Sequence, residues 1–193
     1  ATVVVPVPTP QIKKDYIRSL GANLLEIGET YDDSFLAACE LAETEKMFYV
    51  HPVSDRYTVA GQGTITLELL EQIPDLDQVI VPIGGGGLIT GISFTMKQLK
   101  PSVKLVGVMP EGSAVYYASR QAGNLLTLEH CASMADACVR KTGEPYLYPY
   151  IEQYVDEIVT VTEESIRKAV KMACLYGKLT LEGAGAMPLA ALL

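Results

Sequence analysis

The sequence predicts an α/β protein of open, mostly parallel sheets with helices on both faces, organised as a large domain plus part of a smaller β-α-β domain. Three observations carry this. Short β-branched apolar runs alternate with segments of helical spacing, the pattern of βαβ units. The apolar runs are continuous rather than alternating, as in strands buried on both sides. A run of four glycines, Gly84 to Gly87, joins a predicted strand directly to a predicted helix.

In chain order, Thr2 to Val5 reads as a buried strand, ended by Pro6, Pro8 and Pro10. Gln11 to Leu20 has helical spacing with Ile12, Tyr16, Ile17 and Leu20 on one face, and Gly21 is placed to cap its end. Asn23 to Ile27 is the next strand. A helix follows from Asp32 and Asp33, acidic residues suited to a helix N-terminus, to about Glu45. Met47 to Val50 reads as a third strand. Segment 51–63 begins as loop and turns helical, with the helix clearest over Thr64 to Gln72. Gln78 to Pro82 is a buried strand, Leu88 to Leu99 a helix, Val103 to Met109 a strand and Ala114 to Ala122 a helix. The pattern weakens from Gly123 to Tyr150, with room for one short helix. Val155 to Val161 returns to strand, and Thr162 caps a helix that opens with Glu163 and Glu164 and runs to about Leu175. Glu182 to Leu193 reads as a buried helix. The domain division falls between residues 51 and 60, giving a smaller part over 1–55 and a larger one over 56–193.

Composition narrows the function. Hydrophobic residues make up 49% and charged residues 20% of the chain, an ordinary core-forming balance. The net charge of −8 offers no basic stripe for nucleic acid. The N-terminus has neither the basic start nor the long apolar core of a signal peptide, and no segment reads as a membrane span. Cys39, Cys131, Cys138 and Cys174 form no CxxC pair and have only His51 and His130 to assist them, so no zinc site is expected. They are expected as buried or half-buried free thiols, and the chain as a cytoplasmic one. Tyr146, Tyr148, Tyr150 and Tyr154 are expected to pack or form an interface rather than stack on bases.

The sharpest signal is Val81-Pro82-Ile83-Gly84-Gly85-Gly86-Gly87-Leu88-Ile89-Thr90-Gly91. Glycines at a strand-to-helix junction let the backbone take left-handed angles and approach a ligand closely. Successive N–H groups can form an anion nest, and the following helix adds its positive end. Without a ligand the same run would be a plain flexible turn. A phosphate is the natural guest. A P-loop needs Lys-Ser/Thr where this chain has Leu88-Ile89, so triphosphate hydrolysis is disfavoured. The dinucleotide fingerprint is not met either, because Gly84, Gly86 and Gly91 have the wrong final spacing.

Ala60-Gly61-Gln62-Gly63-Thr64, a helix, and then the glycine run resemble in order and spacing the fold-type II pyridoxal-phosphate enzymes of the threonine/serine dehydratase and serine racemase family. Pro10-Gln11-Ile12-Lys13 with Leu20-Gly21-Ala22 resembles the family's small-domain helix and strand, and Gly28-Glu29-Thr30-Tyr31-Asp32 its next loop. Val159 to Ile166 is similar to a late strand-helix junction, and Leu181 to Ala186 to the helix start that closes the cofactor site. The resemblance covers essentially the whole chain.

It implies that residues 1–55 are part of the small substrate-side domain and residues 56–193 most of the large pyridoxal-phosphate-binding domain. Gly84, Gly85, Gly86, Gly87 and Leu88 would hold the cofactor's phosphate, and Glu182 would lie near its ring or the substrate. Glu182 is equally readable as an ordinary acidic residue in a first helical turn. The implied reaction is β-elimination from L-threonine or L-serine to a 2-keto acid and ammonia, in a homo-oligomer. A serine racemase-like enzyme and a non-catalytic phosphate-ligand binding module are the alternatives.

The departures matter. The family's SxKxRG-like motif, whose lysine forms the Schiff base with the cofactor, does not occur in this sequence, so no catalytic residue is assigned. The chain is therefore expected to be a truncated piece that is inactive alone and prone to associate through exposed core surface. Where some members carry metal-binding acidic residues this chain has Met109 and Val115, so no metal site is carried over. Ala135-Asp136-Ala137 stands where the family often has Ala-Asp-Gly.

Overall fold

The computed structural model describes residues 1–29 and 31–193, with Asp32 described in its backbone alone. The chain divides into two units, Ala1–Val50 and His51–Leu193.

The first unit runs β1 (Thr2–Val5), α1 (Gln11–Ser19), β2 (Asn23–Glu26) and α2 (Tyr31–Thr44). β1 and β2 are parallel, with Thr2 opposite Asn23 and Val5 opposite Glu26. Gly21 stands at φ +76 just past α1, a left-handed position that a Cβ would strain. The expectations for Thr30 and for the Asp32 side chain lie outside the described residues. Asp33 accepts the Glu29 N–H at 3.0 Å, which anchors the entry to α2.

α1 forms where the spacing places it, and Ile12, Tyr16 and Leu20 of its apolar face are 79%, 66% and 68% exposed. The buried position on α1 is Lys14, whose ammonium donates to the Val7 carbonyl at 2.6 Å and to Glu26 at 2.7 Å. Arg18 donates to the other Glu26 oxygen at 2.6 Å, and these two bonds hold the Glu26 carboxyl below its ordinary range. An ion pair thus ties α1 to β2. Met47–Val50 is not a strand. Lys46 takes a left-handed φ of 53°, and the Met47 N–H is used by the Ala42 carbonyl at 2.8 Å. Among the described residues no strand lies beside this segment to complete a ladder.

The second unit runs α3 (Arg56–Gln72), β3 (Gln78–Pro82), α4 (Gly87–Leu99), β4 (Lys104–Pro110), α5 (Val115–Ala122), α6 (Tyr148–Tyr154), β5 (Glu157–Val161), α7 (Glu163–Met172) and α8 (Gly183–Ala190). α3 begins earlier than its apolar pattern suggested, because the Asp55 carboxylate accepts the N–H groups of Tyr57 and Thr58 at 2.8 and 3.2 Å. Thr162 caps α7 by accepting the Ser165 N–H at 3.0 Å. The helix then leaves regular geometry in a π turn over Ala173–Gly177. The weak 123–150 region holds one short 3-10 turn, Asp136–Cys138, before α6.

The sheet order is β3-β4-β5, all parallel. Side chains alternate across it. Val79, Val81, Leu105, Met109 and Ile158 face one core with α4, α5 and α6. Ile80, Val108, Val159 and Val161 face a second core with α7 and α8. Two apolar faces explain the uninterrupted hydrophobic runs and put helices on both sides of the sheet. No helix of the described residues is long and apolar enough to cross a membrane.

The cysteines divide by environment. Cys138 is buried, Cys39 and Cys131 are intermediate, and Cys174 is exposed rather than half-buried, because the π turn carries it outward. Tyr148 stacks on Tyr116, while Tyr150 and Tyr154 pack edge-on against Phe94.

Candidate functional site

The site forms where β3 ends. Ile83 extends the ladder by one bond, its N–H donating to the Val108 carbonyl at 2.8 Å, and the chain then turns through the glycines into α4. Each glycine is required by what lies beside it. A Cβ on Gly84 would meet the Ala137 carbonyl oxygen at 2.7 Å, and one on Gly87 the Val53 carbonyl oxygen at 2.9 Å. Gly86, at φ +95, is left-handed and backs onto the Tyr116 hydroxyl.

Among the described residues, the N–H groups of Gly84 to Leu88 meet no protein acceptor. Gly86 and Gly87 are nonetheless buried. Unpaired buried donors are rare, and a row of them at a helix N-terminus is an anion site. α4 adds its dipole at the same point.

These residues line a cavity of about 340 Å³ at the carboxyl end of β3. Gly84, Gly85, Gly86, Gly87, Leu88 and Glu182, the six positions named from the sequence, all lie on it. Glu182 sits just before α8, at its N-cap rather than in its first turn, and makes no capping bond. Pro52, Val53, Thr58 and Gln62 form another wall. Thr58 and Gln62 are one helical turn apart on α3 and so reach the cavity together. Ala137 and Cys138 close the remaining side with Ala184 and Gly185. Burial pushes the Cys138 thiol up to about 11, and the Glu182 and Asp136 carboxylates add to this, so the cavity wall carries a neutral thiol.

The volume suits a small cofactor, and the polar groups are few and convergent. The donor row fits a phosphate monoester, with an apolar wall beside it for a ring. Among the described residues no group of His, Cys, Asp and Glu is arranged to hold a metal ion. Met109 and Val115 are fully buried in the core.

The profile of the pyridoxal-phosphate dependent enzyme family matches residues 1–193. The chain belongs to that family. Within it, the chain is 38% identical over its whole length to an L-threonine ammonia-lyase of Thermotoga maritima, covering 48% of that protein. It is equally 38% identical to a catabolic L-threonine dehydratase of Staphylococcus aureus, covering 56%. Among solved structures, threonine deaminase isoform 2 of Solanum lycopersicum superimposes with a TM-score of 0.93 at 35% identity over 98% of this chain and 55% of that one. Maize serine racemase does so with a TM-score of 0.94 at 32% identity over 99% and 58%. The chain spans about half the length of the curated relatives it matches. The family's cofactor is pyridoxal phosphate, and the glycine cup of this chain fits its phosphate group.

Sequence reasoning did not assign several wall residues to the site. Thr58 and Gln62 carried a signal in their i, i+4 spacing at the start of the Ala60–Thr64 segment. Ala137 and Cys138 carried little, since only the folding of a long irregular segment brings them to the glycines.

Proposed function

We propose that this chain is the cofactor-cradling part of a pyridoxal-phosphate-dependent threonine/serine dehydratase. Such an ammonia-lyase converts a hydroxy amino acid to a 2-keto acid and ammonia. The observation that carries the proposal is the row of unpaired N–H groups from Gly84 to Leu88, sharing one cavity with Glu182. The 38% identity to threonine ammonia-lyases supports the choice of reaction. We further assign residues 1–55 to part of the small substrate-side domain and 56–193 to most of the large domain. L-Threonine or L-serine is the substrate, in a cytoplasmic homo-oligomer.

When bound, pyridoxal phosphate serves as an electron sink for the α-carbon of an amino acid. The chain's own residues bind and orient. Gly84 to Leu88 fix the phosphate by backbone donors, which need no proton transfer and cost little reorganisation. Pro52, Val53 and Ala184, which line the same cavity, would shield a bound ring from water. Glu182 presents a carboxylate to the ring or the substrate. The lysine motif that anchors the cofactor in the family does not occur in this sequence, so the free chain is expected to bind the cofactor without turning over substrate. A serine racemase-like reading shares every feature of this site, and the maize enzyme superimposes as well as the threonine deaminase does, with TM-scores of 0.94 and 0.93.

The test is to add pyridoxal phosphate to the purified chain, reduce with borohydride and map labelled lysines by peptide mass spectrometry. Saturable binding without a specific label is expected. One lysine labelled at stoichiometry would show that this chain carries its own anchor and overturn the account of its inactivity.

A further inference from the structure

Tyr116, on α5, is fully buried and stands behind the glycine loop, outside the cavity lining. Its hydroxyl makes two bonds. It donates to the Gly85 carbonyl oxygen at 2.9 Å and accepts the Glu144 N–H at 2.8 Å. A hydroxyl has one proton, so the Glu144 donor commits that proton to Gly85. Burial pushes the phenol up to about 12, which keeps the proton in place across the neutral range.

The consequence for the loop is geometric. The described peptide bonds are all trans. In a trans peptide the carbonyl and the following N–H point in opposite directions. With the Gly85 carbonyl held toward Tyr116, the Gly86 N–H must face the other way, and the cavity lies there. Gly86, at the end of this peptide, has a left-handed φ of +95. Glycines at this turn leave the peptide free to flip unless something holds it. Gly143 matches this support: a Cβ there would meet the Tyr116 ring at 2.8 Å. The ring also stacks on Tyr148, which fixes its plane.

We infer that Tyr116 is the positioning residue of the anion cup, its hydroxyl turning the Gly85–Gly86 peptide so that the Gly86 N–H faces a bound phosphate. The inference rests on reading the cavity as a phosphate site. Tyr116 touches neither phosphate nor substrate, and acts through the backbone.

The experiment titrates ¹⁵N-labelled chain, wild type and Tyr116→Phe, with inorganic phosphate and then with pyridoxal phosphate. In the wild type the Gly86 amide proton moves downfield on saturation. In Tyr116→Phe both dissociation constants rise by about tenfold, the scale of one hydrogen bond to a charged group, and the Gly86 shift shrinks. A general loss of stability would not single out that amide. Wild-type affinity in Tyr116→Phe overturns the inference. If the variant fails to fold, a wild-type Gly86 amide that stays still while its neighbours move does the same. A wild type that binds neither probe would instead overturn the reading of the cavity itself, and the inference with it.

Discussion

Gly63 of α3 and Gly91 of α4 face each other where the two helices meet. A Cβ on Gly91 would lie 2.7 Å from the Gly63 nitrogen and 2.4 Å from the Val59 carbonyl oxygen. One on Gly63 would lie 2.4 Å from the Thr95 hydroxyl and 3.2 Å from the Gly91 carbonyl oxygen. At Gly91 in particular the obstacles are largely backbone, so a side chain can be admitted only by parting the helices. α4 carries the proposed phosphate-binding glycines at its start, and this contact packs it against α3.

Gly91→Ala is expected to destabilise the chain by about 1–3 kcal/mol, the usual cost of overpacking. Gly61 is the control. It lies on the same α3 with nothing within 4 Å of its added Cβ. Gly61→Ala is expected to stabilise by about 0.5–1 kcal/mol through helix propensity. Urea unfolding of the two variants gives opposite signs if the close contact is real.

Asp55 holds the first turn of α3 through the N–H groups of Tyr57 and Thr58. Asp55→Ala is expected to cost about 1 kcal/mol, and Asp55→Ser to recover most of it. Equal losses in both variants would show that the cap is not the source of the effect.

Glu163 ties the segment before the cavity wall to α7. Its carboxylate accepts from the Ser133 hydroxyl at 2.5 Å and the Met134 N–H at 3.0 Å, and the Ser133 bond chiefly holds its pKa below the ordinary 4.5. A lowered folded-state pKa adds stability that is present above 4.5 and is lost as pH falls below it. Glu163→Gln is expected to flatten the acid limb of a stability-versus-pH curve. An acid limb as steep as the wild type's would refute this.

The thiols should separate under alkylation. Reactivity follows the thiolate. Cys138 is buried with its pKa raised, and Cys174 is exposed. Iodoacetamide at pH 8 should label Cys174 well before Cys138, as read by peptide mass spectrometry. Comparable rates would show that the cavity wall is open.

The sheet was legible because its residues answer to local rules. Leu105 and Met109 face one core and Val108 the other, and both faces are apolar. The glycine run was legible because a strand-to-helix junction without side chains has few other uses. α1 was legible from the helical period of Ile12, Tyr16 and Leu20, whereas the Lys14–Glu26 pair was not, since Glu26 lies on another element. Met47–Val50 misled because a strand needs a neighbour, which propensity does not supply. Tyr116 was invisible as a site residue, since only the fold places it behind Gly85.

The central claim is that the Gly84–Leu88 donors hold a phosphate, and the most direct test compares pyridoxal phosphate with pyridoxal binding to the same chain. Two or more backbone bonds to a charged oxygen predict that pyridoxal phosphate binds at least about a hundredfold more tightly, and that inorganic phosphate competes with it. Equal affinity for the two, untouched by phosphate, would contradict the account.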